Sequence, residues 1–270
     1  MKNRVLANAL SVIIIVALAS GYFWISEVST DLAYWIIFFL ILIFFGVVGK
    51  IIKNKILGIL IDQRNKISLS RMQLVAWTLI VLAGFYAMGL LNLQDLGSAA
   101  AGSPGPLDIA IPQEVWWLLG ISTTSLVGSP LLQNFRSQQS SANTPAPDTS
   151  AAPAAPAASD SSSTTAATTD SQTTPVQTSS VIHKNDTDDK ASFWDIFKGE
   201  EGSNYQYVDV SKVQMLFFTV IIMLAYVVAL VVQLREPGGT YAFPELNAGL
   251  VALLGISHAG YLTNKVIPKS

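Results

Sequence analysis

The 270-residue chain contains no cysteine. That excludes disulfides, thiolate metal sites, iron–sulfur clusters and cysteine nucleophiles. Charge is also scarce, at 13% of residues, about half the share usual in soluble domains. The net charge is -2, and no Lys/Arg block is interleaved with aromatics, so the chain lacks the basic surface of a nucleic-acid-binding protein. No glycine-rich phosphate loop or other cofactor signature is present, and no cofactor is expected.

What remains is strongly apolar. Hydrophobic residues make up 51% of the chain and mean hydropathy is +0.45, despite a long polar stretch near the middle. Apolar runs of about 20 residues recur near 5–26, 32–52, 72–92, 113–133, 213–234 and 246–265. About 20 residues is the helical length that crosses ~30 Å of hydrocarbon. Backbone groups in lipid must be satisfied internally, so the expected fold is all-α. It is an integral membrane helical bundle of about six transmembrane helices.

The first run follows Lys2 and Arg4 and includes Ala17-Leu18-Ala19, a small-residue site of the kind that ends a signal peptide. The run continues through Tyr22-Phe23-Trp24, however, and an uncleaved anchor is the preferred reading, with cleavage as the alternative. Lys50, Lys53, Lys55, Arg64, Lys66 and Arg71 crowd the next inter-helix loop, where Asp62 is the only acid. Short loops on the other side carry Glu27, Asp31, Asp95, Asp108, Glu114, Glu236 and Glu245 against a single Arg235. The positive-inside rule then places both termini in the cytoplasm of a cell with a bacterial-type plasma (inner) membrane. Tyr22, Trp24, Tyr34, Trp35, Trp116, Trp117 and Tyr241 fall at the outer interface of that topology, where amphipathic rings are most stable.

Two segments repeat a pattern. Ser70-Arg71-Met72-Gln73, followed by Trp77-Thr78, matches Ser211-Lys212-Val213-Gln214, followed by Phe218-Thr219. Pro112-Gln113 and Pro244-Glu245 precede the next helices, which share Leu-Leu-Gly-Ile-Ser at 118–122 and 253–257. This reads as a duplicated two-helix unit, its copies sharing one orientation. The expected domains are residues 1–66, a helix pair with a basic cytoplasmic loop; 67–136, the first repeat; 137–190, a disordered Ser/Thr/Ala/Pro-rich linker; and 191–270, an interfacial helix plus the second repeat. A flexible chain of ~55 residues spans roughly 40 Å. Residues 191–199 read as a short amphipathic helix on the inner leaflet, or as the frayed start of the following helix.

Candidate functional or packing residues are few. Gln73 and Gln214 occupy corresponding helix faces, as interhelical bonds or pore-facing amides. His258 is the only ionisable residue well inside a span, which makes it either a hydrogen-bonding group or a proton or ligand site. Gly120 and Ser122 with His258 superficially resemble intramembrane serine proteases, but Gly-x-Ser is a common packing pattern and no catalytic residue is expected. Gly255 and Ser257 lie on a helix with a small-residue stripe, Ala248, Ala252, Gly255 and Ala259, that closes either within the chain or between subunits. Glu114 and Glu245 stand at outer helix entrances, as solvated helix ends or an acidic vestibule. Asp186-Thr187-Asp188-Asp189 lacks the glycine turn and distal glutamate of a calcium loop, and no metal is expected.

The expected function is non-enzymatic: an oligomeric pore or channel-like assembly. The alternatives are a membrane anchor or scaffold recruiting cytoplasmic partners, and a small transporter. Expected partners are the lipid bilayer, further copies of the chain and a cytoplasmic protein, with no nucleic acid.

Overall fold

The structure is a computed structural model. It describes residues 2–95, 105–142, 183–200, 204–235 and 241–266. Its α-helices are α1 (Lys2–Ala19), α2 (Gly21–Trp24), α3 (Thr30–Lys53), α4 (Leu69–Asp95), α5 (Gln113–Ala142), α6 (Val210–Arg235) and α7 (Ala248–Val266). Among the described residues there are no strands, only two isolated antiparallel bridges.

Helices occupy all six apolar runs, but they are not equivalent. α3, α4 and α6 are each long and apolar enough to cross a membrane. A fourth span arises if α1 and the segment Gly21–Glu27, bent by 55°, count as one. Among the described residues, α7 is apolar over Ala248–Thr263. α5 breaks its apolar run with Ser122-Thr123-Thr124-Ser125 and ends in polar sequence.

The core lies between α3, α4 and α6, with α4 the most enclosed of the three. Tyr34, Trp77 and Tyr226 are fully buried there, and the rings of Trp77 and Tyr226 meet edge-on at 5.9 Å. α1 packs on α3, and α5 and α7 pack on each other and on the α4–α6 side. The bend after α1 is tied to α4: the Tyr86 hydroxyl donates to the Leu18 carbonyl, and Gly21 lies so close to Leu90 that a Cβ there would meet Leu90 Cδ1 at 2.8 Å.

α3 ends at Asn54 in the left-handed region (φ 57°), after which a 3-10 turn, Ile56–Leu60, folds back on it. Two glycines permit this. A Cβ on Gly49 would meet the Ile56 carbonyl oxygen at 2.6 Å, and one on Gly58 would meet the Gly49 carbonyl oxygen.

α4 and α6 begin in the same way. Before α4, Ile61 bridges Ile67, Asp62 N–H donates to the Lys66 carbonyl at 2.9 Å, and Ser68 N–H to the Leu60 carbonyl at 3.0 Å. Before α6, Lys198 bridges Val208, Gly199 N–H donates to the Tyr207 carbonyl at 3.1 Å, and Asp209 N–H to the Phe197 carbonyl at 2.8 Å. The matched cations complete the parallel. Arg71 donates to the Ile61 carbonyl at 3.0 Å and Lys212 to the Lys198 carbonyl at 2.8 Å, in each case the first residue of the bridge.

The amphipathic helix expected at 191–199 is a single 3-10 turn, Phe193–Ile196. Asp195 folds back to accept from Ser192 N–H at 2.9 Å in a capping box, and the chain leaves at Phe197 to form the bridge with Val208. Ile196 is buried, whereas Phe193 and Trp194 stay exposed. Of the expected linker, 143–182 lies outside the described residues. Residues 137–142 belong to α5, and 183–190 pack against the loop after α3.

Candidate functional site

At the basic end of the bundle, the loop 54–68 and the segments 183–200 and 204–209 form a cap. It begins with a tight turn. Asp62 Oδ1 accepts from the backbone N–H groups of Arg64 (2.9 Å) and Lys66 (3.2 Å), and Asn65 adopts φ 57°, which asparagine tolerates better than most residues. The turn projects Arg64 toward the later segment. Its guanidinium is held by Asp62 Oδ2 at 2.7 Å and Glu200 Oε2 at 2.8 Å. Glu200 Oε1 also takes Lys212 Nζ at 3.0 Å and the Tyr261 hydroxyl at 3.2 Å. These groups are enclosed: side-chain exposure is 18% for Arg64, 13% for Glu200 and 6% for Lys212.

Backbone bonds close the seam around them. Asn65 and Asn185 exchange side-chain amide bonds to each other's carbonyls at 3.0 and 2.9 Å, and Asn185 N–H donates to the Arg64 carbonyl at 3.0 Å. The acids 188 and 189 face lysines: Lys55 Nζ donates to both carbonyls at 2.8 and 2.9 Å, and Lys53 lies 3.8 Å from the Asp188 carboxylate.

Lys66 is buried in the cap, and its ammonium makes no ion pair among the described residues. Burial, then the positive charges of Arg64 and Lys212, hold it below the usual lysine range. His183 stacks on Tyr205 at 4.1 Å, and burial with the nearby Lys66 lowers its imidazole from 6.5. Arg64 loses from burial but gains more from Glu200 and Asp62, so it stays charged.

The residues singled out from sequence scatter over the bundle. Gln73 is buried and donates to the Thr219 hydroxyl at 2.7 Å, joining α4 to α6; Thr219 in turn donates to the Met215 carbonyl at 2.8 Å. Gln214, its counterpart by sequence, is exposed. Ser122 is buried and its hydroxyl has no partner; neither has either ring nitrogen of the buried His258. The two therefore share no hydrogen bond, and no nucleophile–base pair is assembled. Gly120 is exposed, while Gly255 and Ser257 are half-buried on α7. Glu114 is half-buried in the first turn of α5 and Glu245 exposed in the loop before α7; that loop and the one before α5 are joined by Phe243 N–H donating to the Ala110 carbonyl at 3.2 Å. Among the described residues no three His, Asp or Glu side chains gather as metal ligands.

Sequence reasoning used Arg64 and Lys66 only as orientation signals and passed over Glu200. The available hint was Asp62, one acid in a basic loop.

Comparison with known proteins finds no matching family model, characterised protein or solved structure.

Proposed function

We propose that this chain is a non-enzymatic integral membrane scaffold, which holds a long polar tether at two points on the cytoplasmic face and recruits a soluble partner through it. The observation that carries this reading is the enclosed Arg64–Glu200–Lys212 network. A loop that only connected α5 to α6 would need no buried ion network. A tether that must present a partner at a set height above a bilayer gains from a rigid mount. In this proposal all six apolar runs lie in or against the bilayer, the basic end faces the cytoplasm of a bacterial-type cell, and the matched hairpin-to-helix starts of α4 and α6 support an internal duplication.

The test replaces 143–182 with a short Gly/Ser link and compares proximity labelling by a biotin ligase fused to the carboxyl terminus. A scaffold loses its soluble labelled set while membrane insertion is unchanged. An unchanged labelled set refutes the reading.

The exposed Ala248, Ala252 and Ala259 of α7 favour a second reading, an oligomeric pore closed by small-residue contacts between copies. Its original motive is weaker, because Gln73 bonds to Thr219 within one chain. Steady current from purified protein in planar bilayers, retained after the 143–182 replacement, selects the pore over the scaffold.

A further inference from the structure

α5 and α7 pack side by side, and between them runs a groove of about 580 Å³ lined from Trp116 and Trp117 to Leu262. Small residues make it. A Cβ on Gly120 would meet open space, Ala252 is exposed, and the nearest atom to a Cβ on Gly255 would be Ile121 Cδ1 at 3.7 Å. A small-residue stripe alone would mean only close packing. Here a second feature is present: His258 lines the groove at 3% exposure, with neither ring nitrogen hydrogen-bonded.

Dimensions limit what can occupy it. From Ala248 to Leu262 the groove follows about 21 Å of helix at 1.5 Å per residue, so it is long, and it lies open along one side. One extended hydrocarbon chain matches that length. Charge limits it too. Among the described residues no ionisable side chain other than His258 lines the groove, so a phosphate, carboxylate or ammonium head would find no counter-charge beside that imidazole. A neutral imidazole has one N–H to donate and one lone pair to accept. His258 stands ten residues along α7 from Ala248, about 15 Å inward from the tryptophan end. A purely apolar occupant would leave it unpaired.

We infer that this groove binds an uncharged, elongated, lipid-like molecule whose single hydroxyl or carbonyl oxygen pairs with His258 and whose tail extends about 15 Å to Trp116 and Trp117. The proposal does not rest on the scaffold reading, since none of the residues lining the groove belongs to the Arg64–Glu200–Lys212 network.

The test uses the full chain in detergent, with a brominated long-chain alcohol as probe and the brominated alkane of equal length as reference; bromine quenches tryptophan fluorescence. The alcohol should quench saturably, at a midpoint about tenfold below any effect of the alkane, the factor one neutral hydrogen bond supplies. His258→Leu should raise that midpoint to the alkane's, and His258→Gln, which keeps a donor and an acceptor, should stay near wild type. Gly255→Leu should remove saturation by filling the groove. Trp116→Phe with Trp117→Phe should remove the saturable signal, which assigns it to this site among the six tryptophans. Equal response to alcohol and alkane overturns the proposal, as does saturable quenching that survives Gly255→Leu. Equal competition by the corresponding fatty carboxylate overturns the uncharged head. Because the chain has no native cysteine, Ala252→Cys reports directly on the rival occupant: complete disulfide cross-linking between copies, unaffected by the alcohol, means that a second chain covers the groove and overturns ligand binding.

Discussion

Replacing Glu200 with Gln removes the negative charge on which Arg64, Lys212 and Tyr261 converge. The consequences for the two cations differ. Arg64 keeps Asp62 at 2.7 Å, so its charge stays matched. Lys212, with 6% of its side chain exposed, keeps only the Lys198 carbonyl at 2.8 Å and becomes a buried ammonium without a counter-ion. Removing one partner of a buried pair costs about 3–5 kcal/mol. The lower figure is the apt one, because a glutamine oxygen can still accept a hydrogen bond. About 3 kcal/mol raises the opening equilibrium of the cap more than a hundredfold, at 1.36 kcal/mol per tenfold.

Amide hydrogen exchange reads this directly. His183 N–H bonds to the Glu200 carbonyl, Asn185 N–H to the Arg64 carbonyl and Gly199 N–H to the Tyr207 carbonyl, so these amides report on cap opening. Amides in the middle of α4 act as controls. In Glu200→Gln the three should exchange about a hundredfold faster while α4 is unchanged. The double variant Glu200→Gln/Lys212→Met should recover most of the loss, because the orphaned ammonium is gone and an apolar side chain of similar length fills its place. Less than threefold acceleration in the single variant, or equal loss in single and double, would refute the view that a buried charge pair locks the cap.

Other perturbations follow from the same structure. Lys66→Met should stabilise the cap by about 1 kcal/mol or more, since it removes a buried ammonium that makes no ion pair among the described residues; thermal unfolding in detergent checks this. Lowering the pH should loosen the cap. The His183 imidazole is lowered from 6.5, so the folded state binds fewer protons than the unfolded one between that value and the lowered one. Stability is therefore full above about 6.5 and falls as the pH drops through the window, and His183→Gln should flatten the exchange profile there. Gly49→Ala should destabilise the α3 turn-back, because the new methyl meets backbone at 2.6 Å rather than a side chain that can swing away; faster exchange of 54–60 is the readout. In the core, Trp77→Ala should cost about 3–5 kcal/mol, whereas Gln73→Leu should change stability by less than 1 kcal/mol, as it loses one interhelical bond but also an unpartnered carbonyl oxygen; chemical unfolding monitored by circular dichroism separates the two.

Periodicity and hydropathy located every long helix, because apolar surface in a run of helical length must be buried or placed in lipid whatever its neighbours are. They did not rank the runs. Among the described residues α3, α4 and α6 are long and apolar enough to span, whereas α5 carries Ser122–Ser125 and α7 is apolar over Ala248–Thr263. The matched residues at Arg71 and Lys212 were visible as letters. That both donate to the first residue of a preceding bridge was not, because the two hairpins differ in length and the carbonyls they use carry no sequence signal. Gln73 and Gln214 show the limit most plainly: equal by pattern, one is buried against Thr219 and the other exposed.

By itself, then, the sequence marked the long apolar helices and where most of them begin, since these depend on residues near one another in the chain, although α5 runs on to Ala142, past the expected start of the linker. Only tertiary structure decided that Glu200 would meet Arg64 and Lys212, and that His258 would line a groove with no hydrogen-bonding partner. The reason is physical: an ion pair or an unsatisfied nitrogen is a property of distance in space, and residues 64 and 200 are brought within 2.8 Å by packing that no local pattern encodes.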